Sequence, residues 1–322
     1  MRGFRPAQKK CLTKITIAAR NAGPSGNEVN IGLAPPTGDP ELTSLSSALP
    51  THATPEGRLV YRHSALVRVC HWVNAVSFVV LLMSGMQIFN ASPLLTWAQT
   101  TNFERPFFSL SARRDDDGNA TAGLTTIFGH AFGTTGVLGA SRGEDGGLEE
   151  RGFPAWATLP SYQDLAMGRR WHFFFAWILV LNGLIYFANL IFSRHIRDLW
   201  PSLADLRAIP HAIVEHLQLR FPSGDAALRY NVLQKLAYLS VVIAFPILIL
   251  AGLTMSPAVD AAFPWLLTLF HGRQAARAVH FLLAAYLVLF LIVHLVMVVL
   301  SGPINNMRSM ITGRYRIKEA QR

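Results

Sequence analysis

Residues 69–89, 171–192, 236–255 and 278–300 form four almost unbroken apolar runs, separated by stretches that carry nearly all of the charge. A helix crossing about 30 Å of hydrocarbon needs roughly 20 apolar residues, and each run meets that length. The runs are apolar around their whole circumference, as expected of helices surrounded by lipid on one side and by one another on the other. The pattern predicts an all-α membrane protein built as a four-transmembrane-helix bundle. Polar interruptions are few: His71, Asn74, His172, Asn182, Pro246, His280 and His294. Ionisable groups inside a bilayer are costly and usually face a bundle interior or a functional path.

The intervening stretches differ in character. Residues 1–57 are rich in Gly, Pro, Ser and Thr, without periodicity or a signal-like apolar core, which predicts a flexible extension or an over-long start. Residues 93–170 are long and Gly-rich but hold Trp97, Phe103, Phe107, Phe108, Phe128, Phe132, Phe153 and Trp156, which favours an ordered cap or docking surface. Residues 193–235 join the second and third spans. From 200 to 231 they read as short amphipathic helices on the membrane surface, with Ala204, Leu206, Ile209, Ile213, Leu217 and Leu219 on the inward face. A short tail, 317–322, follows the membrane domain, 58–316.

Charge adds sidedness. Of 29 Lys and Arg, nine precede the first span, six lie between Arg194 and Lys235, and five between Arg308 and Arg322. The first connection carries seven, offset by Asp115, Asp116, Asp117, Glu149 and Glu150, and the third holds only Arg273 and Arg277. The positive-inside rule then predicts both termini in the cytoplasm, with 93–170 and the third connection outside. The net charge of +10 is thus a topology signal with attraction to anionic lipid, and implies no nucleic-acid partner. Cys11 and Cys70 fall on the reducing side, so no structural disulfide is expected, and the chain lacks the Cys-x-x-Cys-His signature of covalent haem.

The histidines give the chemistry. His280 and His294 are fourteen residues apart, a helical rise of about 21 Å in nearly four turns, so they share a face at two depths. His172 opens the second span outside and His71 opens the first inside. Pairing by depth therefore sets His172 with His280 and His71 with His294. Two imidazoles facing each other across a bundle are what a six-coordinate haem iron requires. Two levels predict two haem b groups. Arg68, Arg169 and Arg277 each stand three residues before a proposed ligand, one turn nearer water, where guanidinium groups suit haem propionates. An interfacial-anchor role is the alternative for any single Arg, and a weaker one for all three together. Gly85 and Gly183 fall on the same faces as His71 and His172 and would let a flat macrocycle approach the backbone, although small residues also serve helix packing. For His52, His63, His130, His195, His211, His216 and His271, solvated or hydrogen-bonded roles are expected.

The stretch Arg68-Val-Cys-His71-Trp-Val-Asn-Ala, the Arg-Trp-His172-Phe opening of the second span and the His280/His294 pair resemble the cytochrome b subunits of the Ni/Fe-hydrogenase and formate dehydrogenase family, within the bacterial cytochrome b561 group. Gly152-Phe-Pro-Ala-Trp-Ala-Thr-Leu-Pro-Ser-Tyr, Tyr230-Asn-Val-Leu-Gln-Lys and Gly252-Leu-Thr-Met-Ser-Pro are most similar to thiosulfate reductase cytochrome b subunits. The likeness covers about residues 58–316; the N-terminal extension and the long first outer loop depart from it. It implies two haem b groups with bis-histidine ligation in the pairing above, residence in the bacterial inner membrane, and electron exchange between quinone and a catalytic oxidoreductase subunit on the outer side. It also implies a quinone site, for which Asn74, Gln234 and Lys235, with Tyr230, Asn231 and His63 nearby, are candidates. Three other functions share parts of the pattern: a stand-alone superoxide or small-donor:quinone oxidoreductase, a non-redox membrane anchor, and a metal transporter. The last predicts no Soret absorption; the anchor predicts that the histidines are dispensable.

Overall fold

The structure, a computed structural model, describes residues 58–97, 105–143, 145–193, 200–218 and 231–317, all of them in the unit Ala53–Arg322. Its frame is four long helices: α1 (Ala65–Asn90), α2 (Leu165–Phe192), α5 (Val232–Thr254) and α8 (Arg273–Leu300). All four are long and apolar enough to cross a membrane, and the chain is a multi-pass membrane protein. Each helix starts four to six residues before its apolar run. The first turn lies where water can still reach polar side chains such as Arg169 and Lys235, so hydropathy misses it. Ser64 caps α1 by accepting from the Val67 amide, Asp164 caps α2 by accepting from Met167, and Asn231 and Gln234 form a reciprocal capping box on α5.

The helices pack in two pairs, α1 with α2 and α5 with α8. Within the first pair, Asn182 donates to the Cys70 carbonyl at 2.8 Å and to Asn74 Oδ1 at 2.6 Å, satisfying a buried amide in hydrocarbon. Gly168 permits the close crossing of α2 over Gln87, since a Cβ there would lie 2.9 Å from its Cγ. In the second pair, the Ser240 and Tyr286 hydroxyls bond across α5 and α8.

The described residues of the connection between α1 and α2 form an ordered cap, one of the two outcomes its aromatics favoured, but it is β-structure, which the sequence reading did not anticipate, and Phe103 lies outside the described residues. Strands β2 (Leu94–Leu95), β3 (Phe108–Arg114), β4 (Ala120–Ile127) and β5 (His130–Gly133) form one antiparallel sheet in that order; β6 (Ala140–Arg142) pairs with β7 (Leu148–Glu150). Two to eight residues per strand, interleaved with glycine, leave too little alternation to register as strands. Phe89, Leu95 and Leu110 form the buried centre where cap meets bundle, with Phe107, Phe108, Leu138, Phe153 and Phe281 packed around it. Polar clamps surround that centre. Asn90 exchanges two hydrogen bonds with the Phe153 backbone, and Arg151, 5% exposed, donates to Gln87, Thr158 and the Phe153 and Ser161 carbonyls.

At the opposite end of the helices, β1 (Arg58–Tyr61) pairs antiparallel with β8 (Arg314–Ile317), tying the two ends of the membrane domain together. Between α8 and β8 runs α9 (Pro303–Thr312), bounded by left-handed glycines at Gly302 and Gly313. Neither the strap nor α9 was foreseen: four-residue strands gain their stability from a partner more than 250 residues away. The predicted surface helices are present as α3 (Leu203–Arg207) and α4 (Ile209–Leu217), followed in order by α5. Among the described side chains of these helices Ala212 is buried and Ile209 half-buried; Ala204, Leu206 and Ile213 are exposed, and the Leu217 side chain and Leu219 lie outside the described residues. Two short helices, α6 (Pro257–Ala262) and α7 (Trp265–Leu269), complete the third connection, where buried Asp260 pairs with Arg273 at 2.6 Å.

Candidate functional site: two facing histidine pairs

The two pairs expected from depth alone meet in space. His172 of α2 faces His280 of α8 with ring centroids 6.2 Å apart, and His71 of α1 faces His294 of α8 at 6.4 Å; both pairs are inclined at 61°. The first pair lies at the cap end and the second at the strap end, so α8 contributes a histidine to each level.

The cap-end histidines are held in matching ways. Ser84 donates its hydroxyl to the Val80 carbonyl at 2.7 Å, leaving its oxygen to accept from His172 Nδ1 at 3.1 Å. His280 Nδ1 lies 2.8 Å from the Leu248 carbonyl, which can only accept, so that nitrogen carries the hydrogen. Both contacts leave Nε2 as the available lone pair. Each ring also rests against a glycine. A Cβ on Gly85 would come within 3.4 Å of His172 Cε1, and one on Gly252 within 3.2 Å of His280 Cε1 and Nδ1. Gly85 was singled out by its spacing. Ser84, Leu248 and Gly252 were not, because only the helix register shows which imidazole they touch. Gly183 adjoins open space, with nothing within 4 Å of an added Cβ.

The strap-end pair is held by rings. His71 meets the edge of Trp72 at 5.5 Å, and His294 stacks on Phe290 at 6.1 Å and 12°. Among the described residues neither ring has a hydrogen-bond partner.

The three arginines that precede ligand candidates also bind the protein. Arg68 donates to the Ile311 carbonyl of α9, beside Trp72, whose indole donates to Met310 at 3.2 Å. Arg68 Nε is buried and has no partner. Arg277 donates to the Ser92 carbonyl and hydroxyl and lies over the Phe89 ring at 5.2 Å, and Arg169 lies over Phe173 at 5.6 Å. The quinone candidates likewise have fixed partners. Asn74 accepts from Asn182, Gln234 accepts from the Asn231 amide, and Lys235 donates to Asp205 at 2.9 Å. The Lys235 ammonium, with the Ser202 amide and hydroxyl, holds the Asp205 carboxyl down to about 2. Of the other histidines, His211 lies 3.6 Å from Glu215 and His130 is exposed; Tyr230, His52, His195 and the His216 side chain fall outside the described residues.

Comparison with known proteins gives the family. A relative from Azospira oryzae, a putative protein-methionine-sulfoxide reductase subunit YedZ1, is 30% identical over 239 residues, covering 74% of this chain and 90% of that protein. The family model for prokaryotic cytochrome b561 matches residues 62–313, which takes in all four long helices and both histidine pairs. The chain belongs to the prokaryotic cytochrome b561 family and is a haem-binding membrane subunit for electron transfer.

Proposed function

We propose that this subunit carries two haem b groups, one at each histidine pair, and passes electrons across the bacterial inner membrane between quinone and a catalytic oxidoreductase docked at the cap end. The observation that carries the reading is the spacing of the rings. Two nitrogen–metal bonds of about 2 Å, plus roughly 1.1 Å from each ring centroid to its nitrogen, give about 6.2 Å between centroids. The separations of 6.2 and 6.4 Å fit one metal ion between each pair. When bound, haem iron supplies one-electron redox chemistry at a potential set by its axial ligands and surroundings.

The chain's own residues orient and shield. His172 and His280 would hold the cap-end group, with Nδ1 engaged by Ser84 and Leu248 so that Nε2 is the nitrogen left for it. Gly85 and Gly252 keep both rings free of steric push. His71 and His294 would hold the strap-end group. Arg68, Arg169 and Arg277 retain unused N–H donors, and the orphaned Arg68 Nε supports an acceptor such as a propionate beside His71. The basic excess on β1, α9 and β8 supports placing both termini in the cytoplasm and the cap outside. Quinone contact at Asn74, Gln234 or Lys235 would require exchanging the bonds these residues already make.

The relative's name favours a partner that reduces oxidised sulfur over a stand-alone oxidase of a small donor. A dithionite-reduced minus oxidised spectrum with haem quantification on the purified protein tests the reading. Two b-type haems per chain are expected, and a protein without haem sinks it.

A further inference from the structure

The turn between β4 and β5 has a residue that its backbone disfavours. Ile127 pairs with His130 across a two-residue loop, and both loop residues, Phe128 and Gly129, have positive φ, at 49° and 84°. Such a primed turn favours Asn-Gly or Gly-Gly, because only residues without a bulky Cβ substituent enter the left-handed region at little cost. A phenylalanine there works against the hairpin, and its side chain is 78% exposed, with Ile127 and Phe132 exposed beside it. An unfavourable backbone state retained at a surface position directs attention to what the side chain contacts.

Register locates the turn. Phe128 donates its amide to the Phe107 carbonyl at 2.8 Å and its ring stacks on Phe107 at 6.0 Å. The next residue, Phe108, meets Phe281 at 5.4 Å, and Phe281 follows His280 within the apolar run of α8. This end of the hairpin therefore adjoins the last apolar turns of the bundle. At the other end, six residues along β3 or about 20 Å, the β3–β4 turn presents Arg114, Asp115, Asp116 and Asp117 to solvent. Residues 118–141 contain no Asp, Glu, Lys or Arg. Polarity is thus graded from one turn of β4 to the other, uncharged and aromatic at the end that adjoins the bundle and ionic at the far tip.

We infer that the β4–β5 turn is a lipid anchor: Phe128, with Ile127 and Phe132, inserts into the headgroup–acyl boundary at the cap end and fixes the cap to the bilayer as well as to the helices. Aromatic rings at that boundary are favoured because they remove apolar surface from water without crossing the hydrocarbon.

The test uses the full chain with its two cysteines replaced (Cys11→Ser, Cys70→Ala), reconstituted in nanodiscs of phosphatidylethanolamine and phosphatidylglycerol. Nitroxide labels are placed singly at Phe128→Cys, Phe132→Cys and Asp116→Cys. Relaxation at 128 and 132 should favour dissolved oxygen over a water-soluble nickel chelate, with the order reversed at 116. If 128 and 132 are as open to the chelate as 116, the turn faces water and the inference is overturned in favour of a protein-docking face. A second variant, Phe128→Asn, should melt no lower than the parent in detergent, because it suits the turn. A clear fall would show that Phe128 serves the hairpin itself and would overturn the assignment.

Discussion

A histidine that ligates must present one nitrogen and hold the other, and His172 and His280 do so through contacts of different durability. His280 donates to a backbone carbonyl, which no side-chain substitution removes, whereas His172 depends on the hydroxyl of Ser84. Ser84→Ala should therefore weaken haem at the cap-end pair by about tenfold, in the range seen when a ligand's supporting hydrogen bond is lost. Haem content after dilution in detergent measures it, and the strap-end haem should be unaffected. Gly252→Ala should be more severe than Gly85→Ala, since its Cβ would approach the ring to 3.2 rather than 3.4 Å and meet two ring atoms at that distance. The spacing rule that found Gly85 passed over Gly252 because α5 carries no histidine from which to count. It found Gly183 as well, which adjoins open space. Periodicity on one helix locates a face; the neighbour across it becomes visible only when the helices are assembled.

Among the elements, the cap and the surface helices show how polar contacts position structure outside the membrane. Arg151 is buried among oxygen acceptors from α1 and from the cap's closing segment, and its burial lowers the guanidinium pKa without discharging it. Arg151→Ala leaves those acceptors unpaired and should cost about 3 kcal/mol of cap stability. Limited proteolysis within 93–163 reads the effect, while both histidine pairs, built on helices, keep their spacing. On the opposite side, Asp205 of α3 binds Lys235 of α5. Its folded pKa of about 2 lies below the ordinary value near 3.9, so the contact contributes fully above pH 4 and is lost as pH falls from about 4 towards 2. Hydrogen exchange in α3 and α4 should quicken over that window, and Asp205→Asn should abolish the pH dependence there. The strands of the cap and strap were illegible for a physical reason. The strap strands are stabilised by pairing across more than 250 residues, and the short cap strands by their hairpin partners and the Phe89 cluster, and neither leaves a local period.

For the whole molecule, the order of spans along the chain determines which histidines can meet, and that is why the central arrangement was legible. A helix entering from one face, a second returning and a fourth entering from the cap end leave one way to match depths, and the structure has His172 beside His280 and His71 beside His294. The two helix pairs pack closely within themselves, through Asn182 and Gly168 on one side and Ser240 with Tyr286 on the other. Between the pairs, the histidines supply contact at both levels. Loss of a histidine should therefore act on one level and spare the other. His172→Ala and His280→Ala should each remove the same spectral component and leave one haem per chain, and His71→Ala and His294→Ala should each remove the other. The discriminating measurement is the double variant. His172→Ala with His280→Ala should retain the same single haem as either single change, whereas His172→Ala with His294→Ala should retain none. If the first double variant loses both haems, or the second keeps one, the two levels do not bind independently and the pairing that organises the bundle is wrong.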